Sequence, residues 1–215
     1  MFTFDSQIQF GPQVLIHKYA NIKEEPMLFS CDSNNAWNLG GTITRQFLDN
    51  LSDEFRKAND LIIDSRVHML MPGWYPCIPG YHHDDVPRER SDGQPNYNNP
   101  SYRAKHCMML INGDIAPTKF ALGKADFYDV SLNQKYYKVW HHDVEDMIFT
   151  GKLQEYDAES NRLIYFDWQT WHKGVQAVNN GWRFFIRATI NTGRKPVNEV
   201  RKQVQVYLEN PMEGW

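Results

Sequence analysis

Cysteine is scarce in this chain. The 215 residues contain three cysteines, which are widely spaced and form no C-x-x-C pair: Cys31, Cys77 and Cys107. An odd number of dispersed cysteines excludes a disulfide framework, and the spacing excludes the usual cysteine-based zinc sites. This pattern favours a reducing compartment, so we expect a cytoplasmic location.

Long apolar runs and long basic runs are also missing. No stretch approaches the roughly 18 apolar residues that a membrane-spanning helix requires, and the first residues, MFTFDSQIQFGPQV, show no signal-peptide pattern. The formal net charge is -3, whereas proteins that hold duplex nucleic acid through its phosphates usually carry a basic surface. We therefore expect no membrane partner. The charge balance favours a small-molecule, nucleotide or peptide substrate over duplex nucleic acid, and the oligomeric state stays open.

The chain does contain enough apolar residues for one folded domain. Hydrophobic residues make up 41% of the sequence and aromatic residues 14%, as in globular domains. The clearest helical signal is at 42–59, where apolar residues recur every four positions: Ile43, Phe47, Leu51 and Phe55. We expect this helix to cover one side of a sheet.

The rest of the chain has the pattern of short strands. Gly, Pro, Asn and Asp clusters separate the apolar segments, which read LIIDSRVHMLM, KHCMMLIN, TKFALG, YYKVW, RLIYFDW, KGVQAV and WRFFIRATI. Many short strands with one strong helix predict a mainly β fold, an antiparallel sandwich or open barrel, over residues 65–192. The polar segment 87–102 is predicted to be a long loop. Residues 193–215 are predicted to be a C-terminal extension in which VQVYL adds an edge strand.

Three His-x-Asp pairs are candidate metal ligands: His82 with Asp84, His83 with Asp85, and His141 with Asp143. Residues two apart in a strand point to the same face, so such a pair places an imidazole and a carboxylate side by side. A histidine from a neighbouring strand, such as His172 in the segment WHKG, completes a set of two histidines and one carboxylate. That set leaves three adjacent positions of an octahedral ion open, as in non-haem Fe(II) oxygenases.

Residues 165–189 are predicted to form a hairpin with its turn at Asn179-Asn180-Gly181. The second strand carries Arg183 and Arg187, and folding about the turn places His172 opposite residue 187 or 188. Odd-numbered residues of this strand share one face, so both guanidiniums are expected to point inward. A buried arginine needs an anionic partner, which a dicarboxylate bound to the metal ion would supply.

In their order, these motifs resemble the Fe(II)/2-oxoglutarate-dependent oxygenases, particularly the phytanoyl-CoA hydroxylase-like and taurine dioxygenase-like branches. YHHDD is similar to the W-H-x-D-D metal motif of that superfamily, and RAT in RFFIRATI matches the R-x-S/T pattern found where the far carboxylate of 2-oxoglutarate is held. The resemblance covers roughly residues 65–192. It implies a double-stranded β-helix fold, jelly-roll or cupin-like, preceded by an N-terminal support at 1–64 that includes the α-helix at 42–59.

The resemblance also implies the cofactors and the reaction. Fe(II) would be bound by His82, Asp84 and His172, with 2-oxoglutarate as co-substrate and O2 as oxidant. Decarboxylation of 2-oxoglutarate to succinate and CO2 would accompany hydroxylation of a substrate that nothing in the sequence identifies. Two other outcomes stay open. One is a metal-binding cupin of different activity, which would not need an inward arginine, and the other is a non-enzymatic β-sandwich binding protein.

Spacing decides against one His-x-Asp pair and leaves two. His141 precedes His172 by only 31 residues, too few for the several strands that this fold places between its metal motifs, so WHHDV is predicted to be a surface or loop element. The other two pairs overlap at 82–85, about 90 residues before His172. The aromatic residue before His-x-Asp favours His82 with Asp84, which we adopt. The H-x-D-V match keeps the register one residue later open.

The arginine that would bind 2-oxoglutarate is left between two candidates. Strand pairing and the R-x-T match favour Arg187, and on that basis its loss is expected to weaken 2-oxoglutarate binding more than the loss of Arg183. The eleven-residue gap after His172, as in the taurine dioxygenase-like branch, favours Arg183. Four aromatic residues are predicted near the mouth of the substrate pocket: Trp74, Tyr75, Tyr102 and Trp171.

Overall fold

The computed structural model describes residues 1–18, 20–99, 103–131 and 134–208. Tyr102, expected near the pocket mouth, lies outside these ranges, as do residues 209–215 of the C-terminal extension. The described part is mainly β, as the sequence predicts, and its strands pair antiparallel. None of its helices has both the length and the hydropathy needed to cross a bilayer.

Short strands dominate the chain, and the helices lie in two places. The strands are β1 (Phe2–Ser6), β2 (Ile8–Gln13), β3 (Met27–Phe29), β4 (Ile62–Leu70), β5 (Lys105–Ile111), β6 (Thr118–Phe127), β7 (Gln154–Asp157), β8 (Arg162–Asp167), β9 (Trp171–Gly174), β10 (Gly181–Ile190) and β11 (Glu199–Arg201). The α-helices are α1 (Ser33–Leu39), α2 (Thr42–Asn50), α3 (Asp53–Arg56) and α4 (Tyr136–Phe149).

Two sheets carry most of these strands. In the larger sheet the order is β2-β8-β5-β10-β4. In the smaller sheet, β6 pairs with β1 and β9 along one edge and with β7 along the other. A two-stranded sheet of β3 and β11 lies beside β4, where the Leu28 N–H donates to the Ser65 hydroxyl at 2.8 Å. Among the described strands no sheet closes into a barrel.

Alternation along β10 separates the two faces of the larger sheet. Phe184 and Ile186 are buried in the core beneath the N-terminal helices, where each such side chain contributes about 1.5–3 kcal/mol by leaving water. The odd-numbered residues of β10 face the smaller sheet. Between the two sheets lies a cavity of about 290 Å³, lined by residues of both, including Arg183, Phe185 and His172.

The helix predicted at 42–59 is two helices in the structure. α2 ends at Asn50 and α3 begins at Asp53, because Leu51 and Ser52 are extended, with ψ of 147° and 158°. Serine is favoured immediately before the first turn of a helix, so Ser52 suits a new start. The apolar residues that predicted the helix are buried, so the prediction was wrong about the continuity of the helix but right about its buried face.

The segment YYKVW, predicted as a strand, is the start of α4. This helix also contains WHHDV, which was predicted to be a surface or loop element. The strand prediction was wrong because it relied on the preference of aromatic and β-branched residues for strands. The buried apolar residues of α4 instead recur at helical spacing: Tyr136, Trp140 and Val144. They pack with Phe4, Phe127 and Trp171 in one aromatic cluster, so tertiary packing of this stripe decides the local structure.

The predicted hairpin of residues 165–189 does not form. β9 pairs with β6 in the smaller sheet, whereas β10 pairs with β4 and β5 in the larger one. The turn at 179–181 therefore carries the chain from one sheet to the other. Arg187 stands opposite Asp64 of β4 and Met108 of β5 instead of opposite His172.

The strand of the C-terminal extension lies earlier in the chain than the sequence predicts. Its strand is β11, which pairs with β3. The VQVYL segment, predicted as an edge strand, makes only an isolated bridge between Tyr207 and Tyr75. β11 thereby places the extension against β3 and close to the cavity.

Candidate metal centre

The fold brings His82 and His172 together as a backbone pair. The His82 N–H donates to the His172 carbonyl at 3.0 Å, and the His172 N–H donates to the His82 carbonyl at 3.2 Å. In a reciprocal antiparallel pair both side chains point to the same face, and here the ring centroids lie 4.6 Å apart. His172 belongs to β9, whereas His82 forms an isolated bridge outside the named strands.

Asp84 completes a group of three candidate ligands. Its carboxylate oxygens lie 3.1 Å from His172 Nε2 and 3.8 Å from His82 Nε2. One ligand atom from each residue lies within 4.8 Å of the other two. The three residues selected from the sequence therefore surround one point, and all three line the cavity between the sheets.

Backbone carbonyls fix the tautomer of both imidazoles. Nδ1 of His82 lies 2.7 Å from the Gly80 carbonyl oxygen, and Nδ1 of His172 lies 2.9 Å from the Thr170 carbonyl oxygen. A carbonyl oxygen only accepts hydrogen bonds, so each neutral ring carries its proton on Nδ1 and keeps a lone pair on Nε2. Orientation of an imidazole by a backbone carbonyl is typical of metal-binding histidines.

Three electron-pair donors therefore converge, namely two Nε2 atoms and the Asp84 carboxylate. Arg187 already supplies one cation to the Asp84 carboxylate, and a metal ion would satisfy all three donors at once. Burial lowers the pKa of His82 to about 4. Burial raises the pKa of Asp84, but the adjacent Arg187 guanidinium outweighs it and holds that pKa well below its usual range. Two imidazoles and one carboxylate are a donor set that fits Fe(II).

The overlapping pair, His83 and Asp85, points elsewhere. His83 is buried against the Trp171 ring, with centroids 3.7 Å apart. Asp85 has a left-handed φ of 58° and forms ion pairs with Arg187 at 3.4 Å and Arg194 at 3.0 Å. Of the two registers, the one with His82 and Asp84 has its side chains in the cavity.

Arg183 is a buried arginine of the cavity. Its exposed fraction is 2%, and within the described ranges it forms no ion pair with a carboxylate. Its Nη2 makes one long hydrogen bond of 3.4 Å to Thr118 Oγ1, and its buried Nε has no partner. Burial lowers the pKa of Arg183 to about 10, which leaves the side chain charged at neutral pH. A buried guanidinium of this kind needs an anion.

Arg187, by contrast, already has acidic partners. Its Nη1 contacts the Asp84 carboxylate, and its Nη2 lies 3.4 Å from Asp85 Oδ2. The strand pairing that favoured Arg187 as the 2-oxoglutarate residue is wrong, because β9 and β10 lie in different sheets. Arg187 is thus placed to orient the two carboxylates of HHDD, and Arg183 is available for a ligand.

The cavity also contains residues that the sequence did not single out. Arg66 comes from β4 and Lys173 from β9, while Arg194 and Arg201 come from the C-terminal extension, for which no chemistry was predicted. Isolated arginines and lysines usually lie on the surface, so nothing in the local sequence marks these as cavity residues. Only the pairing of β11 with β3 brings Arg201 to this place.

Three of the four aromatic residues predicted at the pocket mouth pack elsewhere. Trp171 is buried in the aromatic cluster under α4. Trp74 packs against a small apolar cluster, and Tyr75 lines a separate surface depression. The aromatic side chains of the cavity are Phe29, Phe166 and Phe185.

The described part of the predicted loop, 87–99, lies next to the site. Arg88 lines a small cavity of about 190 Å³ together with His82. The Tyr97 hydroxyl lies 3.0 Å from His83 Nδ1 and 2.8 Å from the Tyr137 hydroxyl. The loop is therefore anchored to the segment that carries HHDD.

A second group of metal-ligand residue types lies on α4: His141, His142 and Glu145. Here the backbone selects the opposite tautomer, because the Tyr81 N–H donates to His141 Nδ1 at 3.2 Å. The neutral His141 ring then carries its proton on Nε2, 3.5 Å from a Glu145 oxygen. A protonated Nε2 has no lone pair for a metal ion, so this group is unsuited to bind one.

We expect His142→Ala to leave metal binding unchanged, because His141 offers no lone pair to an ion and the α4 group is left with two possible ligands. Anaerobic titration with Fe(II), followed by calorimetry, should give one ion per chain in both the wild-type protein and the variant. Loss of one bound ion in the variant would show that the α4 group is a metal site after all.

A comparison with models of protein families finds no match to this chain, and a comparison with curated proteins finds none either. Any function proposed for this chain therefore rests on the geometry of the site and on the chemistry of its side chains.

Proposed function

We propose that this protein is an Fe(II)- and 2-oxoglutarate-dependent oxygenase with a double-stranded β-helix core at 65–192. The observation that carries the proposal is the convergence of two Nε2 lone pairs and the Asp84 carboxylate in one cavity with Arg183, which has no acidic partner among the residues that the structure describes. A cupin of different activity would not need an anion beside the buried Arg183. A binding protein without a metal ion would leave three electron-pair donors facing each other.

The order in which the chain enters the sheets supports the fold in this proposal. β4, β5, β8 and β10 lie in the larger sheet, whereas the His82 bridge, β6, β7 and β9 are associated with the smaller one. From β4 onward the chain thus passes repeatedly between two sheets on either side of one cavity, and β6 and β7 are the one consecutive pair among these strands that stays in the same sheet. Such winding is expected of a jelly roll.

In this proposal His82, Asp84 and His172 hold Fe(II). When bound, Fe(II) with 2-oxoglutarate and O2 supplies the oxidising chemistry, in which 2-oxoglutarate becomes succinate and CO2. Arg183 binds the far carboxylate of 2-oxoglutarate through charge-assisted hydrogen bonds, which are strong in a buried cavity. Arg187 orients Asp84, and Phe166 and Phe185 supply apolar surface in the same cavity.

Anaerobic addition of Fe(II) and 2-oxoglutarate to the purified protein tests the proposal. We expect a weak visible metal-to-ligand charge-transfer band that saturates at one equivalent of each and disappears when a chelator removes the metal. Zn(II) in place of Fe(II) is the control and should give no band. A well-folded protein that shows no band with Fe(II) would refute the proposal. Succinate release then provides the readout for a screen of substrates.

A further inference from the structure

The cavity holds more positive charge than the proposed reaction uses. Its cationic residues are Arg66, Lys173, Arg183, Arg187, Arg194 and Arg201, and its acidic residues are Asp64 and Asp84. Three of the cations have acidic partners. Arg187 and Arg194 pair with Asp85, and Lys173 lies 3.0 Å from Glu145. With Arg183 assigned to 2-oxoglutarate, Arg66 and Arg201 remain.

Arg66 and Arg201 form no ion pair with a carboxylate of the described chain. Nη1 of Arg66 donates to the Ser65 carbonyl at 2.7 Å and to the Leu28 carbonyl at 3.5 Å. Arg201 lies over the Phe29 ring, 3.9 Å from its centroid, with its Nε buried and unpartnered. Burial, which is the larger cause, and the nearby charge of Arg201 together lower the pKa of Arg66 to about 10. The two charges are thus close enough to destabilise each other, which a bound anion would relieve.

We propose that Arg66 and Arg201 bind an anionic group of the substrate, a phosphate or a carboxylate. This inference rests on the proposed function, because the anion would hold the substrate in the cavity that contains His82 and His172. Guanidiniums bind both kinds of group through paired hydrogen bonds. Phe29 and Phe185 line the same cavity and suit an apolar or flat body on the substrate.

Matched small probes test this inference. Phenyl phosphate, benzoate and neutral benzamide are titrated anaerobically into the protein loaded with Fe(II) and 2-oxoglutarate, and binding is measured by calorimetry. We expect at least one anion to bind with a Kd at least about tenfold lower than that of benzamide, a difference of about 1.4 kcal/mol. The better anion identifies the class of the group. Equal binding of all three probes would overturn the inference.

Arg201→Gln should raise the Kd of the preferred anion about tenfold or more, which again corresponds to about 1.4 kcal/mol. Arg162→Gln is the matched control, because Arg162 also lies over an aromatic ring, at 4.7 Å from the centroid of Phe10, but does not line the cavity. Wild-type anion affinity in Arg201→Gln would overturn the inference, even if the charge-transfer band is present. Arg201-dependent anion binding without the band would support the anion site and refute the oxygenase.

Discussion

His82→Gln is expected to abolish the visible band of the complex with Fe(II) and 2-oxoglutarate, whereas His83→Gln should retain it. His82 offers an Nε2 lone pair beside Asp84 and His172, while His83 is buried against Trp171. Partners outside the ligand set alone are worth about 10–100-fold in metal affinity. We therefore expect the loss of a ligand to weaken Fe(II) binding by more than about 100-fold, measured by anaerobic titration.

His83→Gln serves as the matched control, since it makes the same chemical change one residue later. It should lower the thermal midpoint, because His83 packs among aromatic rings, but it should bind Fe(II) like the wild-type protein. The reverse outcome, with the band kept in His82→Gln and lost in His83→Gln, would move the site to the other register.

Arg183→Met is expected to weaken 2-oxoglutarate binding by roughly two orders of magnitude, about 3 kcal/mol, because it removes the partner of a buried carboxylate. Without ligand, the same variant should be at least as stable as the wild-type protein. Methionine fills a similar volume and eliminates a buried charge that has no acidic partner in the described part of the chain. Calorimetric titration with 2-oxoglutarate and a thermal melt of the ligand-free protein measure the two effects.

The opposite signs of these effects separate a ligand-binding arginine from a structural one. A structural Arg183 would lower stability in the absence of ligand and leave the Kd for 2-oxoglutarate unchanged. Arg187→Met provides the comparison, because Arg187 contacts Asp84 and Asp85, so its loss should disturb Fe(II) binding first. A larger loss of 2-oxoglutarate affinity in Arg187→Met than in Arg183→Met, with Fe(II) binding intact, would return the role to Arg187.

Local patterns in the sequence were sufficient to select the group of His82, Asp84 and His172, which the structure brings together. Residue type and order along the chain carry that information, because few other histidines stand at a suitable distance from an aspartate. Their role as Fe(II) ligands stays a prediction. The mainly β fold is confirmed, since short apolar segments between turn-forming residues are typical of strands.

The partners of the strands were not predictable from local patterns. The turn at 179–181 has the composition of a hairpin turn, yet β9 and β10 pair with other strands, since pairing depends on which faces are buried across the whole fold. For the same reason Arg201 gave no signal, because only the long-range pairing of β11 with β3 places it in the cavity. In α4, the aromatic residues that favour strands by propensity were overridden by packing at helical spacing.

An ion held by His82, Asp84 and His172 would act as a cross-link of the chain. Asp84 and His172 are 88 residues apart, and a permanent closure of a loop of about 100 residues lowers the entropy of the unfolded chain by the equivalent of about 4–5 kcal/mol. The segment inside this loop includes β5 to β8 and α4. In the metal-loaded protein we therefore expect these elements to unfold together. In the metal-free protein the ends of the loop are joined at this point by the two backbone hydrogen bonds between His82 and His172, without an ion.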